Sequence, residues 1–487
     1  MSIREQIRYD GVQRFLIRCH EIIAPANGGI MSPESTVAMP SKKWGLAFII
    51  AILICVVLNP LNSSTISVAL PKLLRALHTT SSGITWIVSA YYLGSAIAQP
   101  VMGKFGDKWG RERFVYAGLL LMIVTAVLAP LSTSLGVFVF WRIIQAVGTS
   151  MIYPNAIGLV RQYRSKDLGK VLGWIGMAGG IAVAVGPTIG GFLIDLTSWH
   201  AIFWLNIPIS LLAMGLLLWI HPRSKNISNP IKASKPLRTD WAGIVFFAAA
   251  VSTWLLYANA RHPFANPELL TLGLSALLTL GLIVLEFRHD SPVIPVRWFR
   301  LPQFALSSLI TVITNLVMYC ILYGLPVFLE TARSYSATKS GLLLLSFAGV
   351  MSIASPLGGH FAQGKSRKWP IVLAGLLLFF GTFILCWMDI LPIYFMILGL
   401  ALIGVSFAIS NVVIQQIVLE SAPPSDTGQA SGVYTLLRYI GTILSSVLVS
   451  SAMTHLSGAQ HLFIWLTIAS VLTILLSLGL RDLRQPS

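Results

Sequence analysis

Between residues 103 and 113 the chain reads Gly-Lys-Phe-Gly-Asp-Lys-Trp-Gly-Arg-Glu-Arg, a turn dense in charge and glycine set between two apolar stretches. Asp107 stands there among Lys104, Lys108, Arg111 and Arg113, where it can pair with Arg111 or sit at the positive end of another helix. A second charge, Arg142, lies inside an apolar run with Gln145 three residues on. A guanidinium buried in a membrane costs roughly 3 kcal/mol or more unless it is paired or hydrated, so its presence there points to a purpose. A third pattern is Gly186-Pro187-Thr188-Ile189-Gly190-Gly191, preceded by Gly173, Gly176, Gly179 and Gly180. Small residues four apart at 176, 180, 184 and 188 let another helix approach backbone to backbone, and Pro187 bends its own helix.

Amides and phenols scattered through apolar runs make candidate linings for a ligand cavity: Asn62, Tyr91, Tyr92, Tyr153, Asn155, Asn315, Tyr319, Asn411 and Gln415. They suit a bulky, partly apolar small molecule through stacking and a few hydrogen bonds. Arg438 adds a second cation inside an apolar run, placed to attract an anion or to cap a neighbouring helix. No carboxylate falls clearly in the middle of an apolar run. Glu330, after Pro326 at the end of one, is the best remaining candidate for a group that takes up a proton. Catalytic constellations, metal-ligand spacings and a phosphate-binding Gly-Lys-Ser/Thr loop are all missing, so the reading expects neither an enzyme nor a bound cofactor, and excludes direct ATP drive.

The elements that must hold these residues follow from composition. A chain of 487 residues that is 55% hydrophobic and 10% charged cannot bury so much apolar surface in a soluble core. The pattern predicts an all-α polytopic membrane protein. Fourteen apolar segments can be counted, from 44–66 to 460–480, each near the ~20 residues that cross a bilayer. A β-barrel would need alternating segments of about ten residues, and none occurs. The net charge of +17 follows the loops: 27 Lys and Arg fall on the side that holds both termini and five on the other. The positive-inside rule then places both termini in the cytoplasm of an inner-membrane protein, and assigns the charge to topology and lipid rather than nucleic acid. Residues 3–23 are expected to form an amphipathic helix on the inner leaflet, and Met31 offers a second start.

A shift of 256 residues lays Ala98, Pro100, Gly103, Phe105 and Arg111 onto Ala354, Pro356, Gly359, Phe361 and Arg367, so the chain repeats itself. Asp107 meets Gln363 in the second copy, which leaves the charged switch in the first. The expected organisation is a tail (1–43), a six-helix bundle (44–220), a linker with two extra helices (221–300), a second six-helix bundle (301–480) and a short tail (481–487).

The turn at 103–113 resembles the loop between spans 2 and 3 of the major facilitator superfamily: Gly103, Asp107, Lys108, Gly110 and Arg111 match, while Phe105 and Glu112 depart from the pattern. The resemblance implies a cytoplasmic latch between two halves. Arg142-Ile-Ile-Gln145-Ala146-Val-Gly148 resembles the family's Arg-x-x-Gln-Gly-x-Gly, which implies proton coupling through Arg142 and Gln145. Gly186, Pro187, Gly190 and Gly191 resemble the antiporter motif of its exporters, and Ser198 to Pro208 resembles the start of span 6 in the fourteen-span drug:proton antiporters, the EmrB/QacA-type subfamily. Where that family has aspartate in the first span this chain has Asn62, which cannot titrate but can hydrogen-bond a substrate or Arg142. The resemblance implies multidrug efflux by alternating access in exchange for protons, with a periplasmic adaptor as a further partner. A dedicated exporter of one metabolite or siderophore, and an uptake symporter or facilitator, are the rival expectations.

Overall fold

A computed structural model describes residues 42–79, 81–164, 167–224, 240–258, 266–289, 292–333, 335, 337–364, 366–388, 390–453 and 458–481. They lie in one compact unit, Met39–Ser487. The amphipathic helix expected at 3–23 and the alternative start at Met31 lie outside them.

Among the described residues all regular structure is helical. Fourteen helices have 18 residues or more: α1 (Lys42–Ala76), α2 (Ser81–Trp109), α3 (Arg111–Leu128), α4 (Leu135–Tyr163), α5 (Leu168–Leu196), α6 (Asn206–Ser224), α7 (Trp241–Ala258), α8 (Asn266–Arg288), α9 (Pro302–Ala332), α10 (Ala337–Ala362), α11 (Lys368–Cys386), α12 (Ile393–Ser421), α13 (Thr427–Met453) and α14 (Gly458–Leu478). Helices satisfy their own backbone groups, which is what hydrocarbon demands of a spanning segment. Apolar side chains therefore occur on both the buried and the exposed faces. Ile353 and Leu270 are 80% and 75% exposed, as a lipid-facing surface requires.

Eleven of these helices are long and apolar enough to cross a membrane on their own. The other three depart from the sequence expectation of fourteen for definable reasons. The apolar stretch of α7 runs only from Trp241 to Trp254. The helices α2 and α13 carry Gln99, Lys104, Asp107 and Lys108, and Gln429, Thr435 and Arg438, because they meet each other and need little lipid-facing surface there.

Helix neighbours repeat with an offset of eight. In the first set α1 packs on α5 and α6, α2 on α4, and α3 on α4 and α6; in the second, α9 packs on α13 and α14, α10 on α12, and α11 on α12 and α14. The sets meet through α2 against α13 and α5 against α10, two contacts related by the same offset. The remaining pair, α7 and α8, pack on each other, and α7 reaches α2 and α13. Internal repetition of the sequence is thus repeated in the packing.

Candidate functional site

The 103–113 turn is where α2 stops and α3 starts, with one residue between them. Gly110 has φ +110°, a conformation that side-chain-bearing residues rarely adopt, so the abrupt reversal depends on glycine. The reversal brings Arg111 back over Asp107, Nε to Oδ1 at 2.7 Å, with both side chains 8% exposed. Asp107 also accepts hydrogen bonds from the backbone N–H groups of Gly428 (3.1 Å, Oδ1) and Gln429 (2.9 Å, Oδ2). These lie in the first turn of α13, so the carboxylate sits at the positive end of a helix from the second set. Gly103 lies directly against the Gly428 carbonyl, a distance of approach that no β carbon would allow.

Two arginines complete the closure. Arg111 donates to Gly158 O at 3.0 Å within the first set, and to Pro424 O at 3.0 Å and Ser425 O at 3.1 Å in the second. Arg161, from α4, donates to the carbonyls of Leu419 and Ala422 and to Thr427 Oγ1, taking up the C-terminal carbonyls of α12. Lys108 stands over Trp109, 5.1 Å from the ring centroid, on the outer side of the turn. The neutral copy is arranged likewise: Gln363 lies against Gly169 at the start of α5, as Asp107 lies at the start of α13. Sequence reasoning missed Arg161 and Gln429. Arg161 was legible only as one more basic residue near a helix end, and Gln429 carried no signal.

Arg142 is 1% exposed, and its Nη1 donates to Gln145 Oε1 at 2.6 Å. Its guanidinium carbon lies 4.4 Å from the centre of the Tyr91 ring, and the Tyr91 hydroxyl is 3.2 Å from Thr149 Oγ1. Among the described residues, Arg142 Nε and Gln145 Nε2 have no hydrogen-bond partner. Asn62 is elsewhere. Its Nδ2 donates to Asn206 Oδ1 at 2.8 Å and Asn206 returns a bond at 3.3 Å, so the two amides join α1 to α6 and leave Arg142 without that partner.

The candidate lining residues divide. Tyr92 and Tyr439 lie 5.9 Å apart across α2 and α13 with their rings tilted by 60°, and Tyr319 lies 5.5 Å from Tyr323 on α9. Tyr153 on α4 is reached by Gln415 Nε2 on α12 at 3.5 Å. Arg438 Nε donates to Asn315 Oδ1 at 3.2 Å. Tyr92 with Tyr439 and Tyr153 with Gln415 thus meet where the two sets face each other. Asn155 is occupied with Met102 O and Met151 O, fastening α4 to α2, and Asn411 accepts from the Tyr434 hydroxyl within the second set. Glu330 falls near the C-terminal end of α9, and its side chain lies outside those described.

The glycines of α5 serve two neighbours. Gly173, Gly176 and Gly180 lie against Ser355, Gly359 and Ser352 of α10, and Ala184 packs on the second set's core. Gly186 and Gly190 face Ser64, Thr65 and Val68 of α1, where Ser64 Oγ donates to Ala182 O at 3.1 Å. Thr188 is exposed, and a β carbon at Gly191 would touch nothing, so neither belongs to a packing stripe. The stripe expected from residues 176 to 188 thus faces the second set at 176, 180 and 184 but not at 188, and Gly186 and Gly190 form a separate face toward α1.

Comparison with known proteins follows the same lines. A profile described as Major Facilitator Superfamily matches residues 52–446 and 307–486. An uncharacterized MFS-type transporter, YwoD of Bacillus subtilis, is 34% identical over 421 residues, covering 84% of this chain and 91% of the relative. The multidrug resistance protein Stp of Mycobacterium tuberculosis is 26% identical over 400 residues, covering 81% of this chain and 73% of its own. Among solved structures, the human organic anion transporter MFSD10 superposes with a TM-score of 0.64 at 15% identity, over 89% of this chain and 99% of that one, a likeness of fold.

Proposed function

Because the chain belongs to the Major Facilitator Superfamily, and is thus a multi-pass membrane transporter and no enzyme, we propose that it exports small amphiphilic compounds by alternating access in exchange for protons. The observation that carries this reading is the latch: one carboxylate, Asp107, held by an arginine of its own set and by the helix N-terminus of the other. A contact of two charge-assisted backbone bonds and one ion pair is strong enough to close the gap and weak enough to release.

In this reading all fourteen helices span, as in the fourteen-span drug:proton antiporters. Residues 44–220 and 301–480 are the two moving bundles, 221–300 the linker with its extra pair, and both termini lie in the cytoplasm of the inner membrane. The latched end is then cytoplasmic and the central space opens outward. Multidrug substrates are favoured by the tyrosine-lined space between the sets and by the named activity of the Stp relative. Gly186, Pro187, Gly190 and Gly191 shape α5 for export. Proton exchange is assigned to Arg142 and Gln145, each of which has a buried nitrogen with no hydrogen-bond partner among the described residues, with Glu330 as the group that takes up the proton.

Inside-out vesicles test the reading. With an imposed proton gradient, vesicles that contain the protein should accumulate an amphiphilic dye such as rhodamine 6G, and an uncoupler should abolish the accumulation. Uptake that ignores the gradient would contradict proton exchange, and absence of uptake for every dye and antibiotic tried would favour a dedicated exporter of one metabolite.

A further inference from the structure

Arg438 stands on α13 where the two sets face each other, half-buried, with Nε on Asn315 Oδ1 at 3.2 Å. Asn315 is itself fixed, its Nδ2 donating to Thr311 O at 2.9 Å, so its oxygen is turned to the guanidinium. The ionisable groups near enough to act on Arg438 are the phenols of Tyr434, Tyr153, Tyr319 and Tyr439, with no carboxylate among them. The second buried guanidinium, Arg142, likewise faces Tyr91 and Gln145 rather than an acid. The interior between the sets thus holds two permanent positive charges and, among the described residues around them, no negative one.

An arginine has five N–H donors in a planar fork, and Arg438 uses Nε on a neutral amide. Its Nη groups remain for a carboxylate, sulfonate or phenolate, which would supply the counter-charge that the protein does not. The surrounding rings of Tyr92, Tyr319, Tyr323 and Tyr439 suit the flat apolar body of the same molecule. A lipophilic cation would enter the same space against two like charges. We propose that the central site binds amphiphilic organic anions, with the anionic group on Arg438 and the aromatic body among the tyrosines. The proposal rests on the reading of this space as the substrate site, and it narrows the substrate class.

Fluorescein and rhodamine 123 share a xanthene body and carry opposite charge, so they isolate the charge preference. Fluorescence polarisation with the purified full-length protein in detergent should show fluorescein binding about tenfold or more tightly than rhodamine 123. Arg438→Gln should erase that preference, Arg438→Lys should keep part of it, and Asn315→Ala should weaken fluorescein binding by a smaller factor. Monodispersity of each variant on gel filtration separates loss of the site from loss of the fold, and the lysine variant carries the test if the glutamine variant aggregates. Equal or reversed preference, absence of fluorescein binding, or a preference that survives Arg438→Gln overturns the proposal. Vesicle transport of rhodamine 123 without fluorescein would overturn it while leaving the efflux reading intact. Arg438-dependent fluorescein binding without transport would do the reverse.

Discussion

Asp107 binds on two sides at once, to Arg111 on the next helix of its own set and to two N–H groups of α13 in the other. Only the second contact crosses between sets. Asp107→Asn keeps the shape but loses the charge, and charge-assisted bonds of this kind contribute about 1.5–3 kcal/mol. The closed arrangement should be disfavoured by roughly ten- to hundredfold, with transport reduced by at least the same order while membrane insertion is unchanged; vesicle uptake measured against protein content checks it, and wild-type rates would remove the latch from Asp107. Gly110→Ala forces a side chain into positive φ, at a cost of about 1 kcal/mol, and should lower the melting temperature in detergent without altering the order of substrate preference. Arg142→Ala should abolish proton-driven uptake, yet weaken fluorescein binding in a static titration by a smaller factor than Arg438→Gln, because Arg142 is 1% exposed and acts on the anion only through its charge. At this scale the charged turn was plain in the sequence, as an aspartate flanked by four cations between apolar runs. The partners were hidden, because they are backbone groups of residues more than 300 positions away, and backbone groups leave no mark in a sequence.

The helices are positioned by small residues at their crossings and by side chains that reach carbonyls at their ends. The extra pair shows this well. The carbonyls of Pro292 and Val293, just after α8, receive Gln429 Nε2 at 2.7 and 2.8 Å, and Lys104 Nζ reaches Pro292 O at 2.9 Å. One short segment is thereby fastened to α2 and to α13, beside Asp107, while Glu286 accepts the N–H groups of Val293 and Ile294 at 3.2 Å. Gln429→Ala should free that segment from α13 and shift the latch toward its open form, seen as faster labelling of a cysteine placed at Pro423; labelling at the wild-type rate would confine Gln429 to a packing role. The sequence showed fourteen apolar runs, yet two of the most polar helices, α2 and α13, are those that meet at the latch. Their polarity belongs to a protein–protein face inside the membrane, and composition cannot say which face a residue turns to its neighbour. The α5 stripe was legible at 176, 180 and 184, which turn to the second set, while the exposure of Thr188 and the turning of Gly186 and Gly190 to α1 were not, because spacing alone does not say which neighbour a face meets.

As a whole, the molecule is two similarly packed sets, with a pair of helices between them in chain order, that meet through α2 and α13 and through α5 and α10. The repeat was visible in the shift of 256 residues, because the glycine and proline positions at helix crossings constrain both copies alike. The decay of the second copy was visible too, in Gln363, and its consequence is asymmetry: a carboxylate stands at the meeting of α2 and α13 and an amide at that of α5 and α10. Alternating access requires the closure at α2 and α13 to open during the cycle. The direct test is the distance between spin labels on cysteines at Trp109 and Pro423, both exposed and on opposite sides of the closure, measured in proteoliposomes by double electron–electron resonance. At rest a single short distance should dominate, and substrate with an opposed proton gradient should populate a second, longer one. A distribution that stays short throughout active transport would contradict the account.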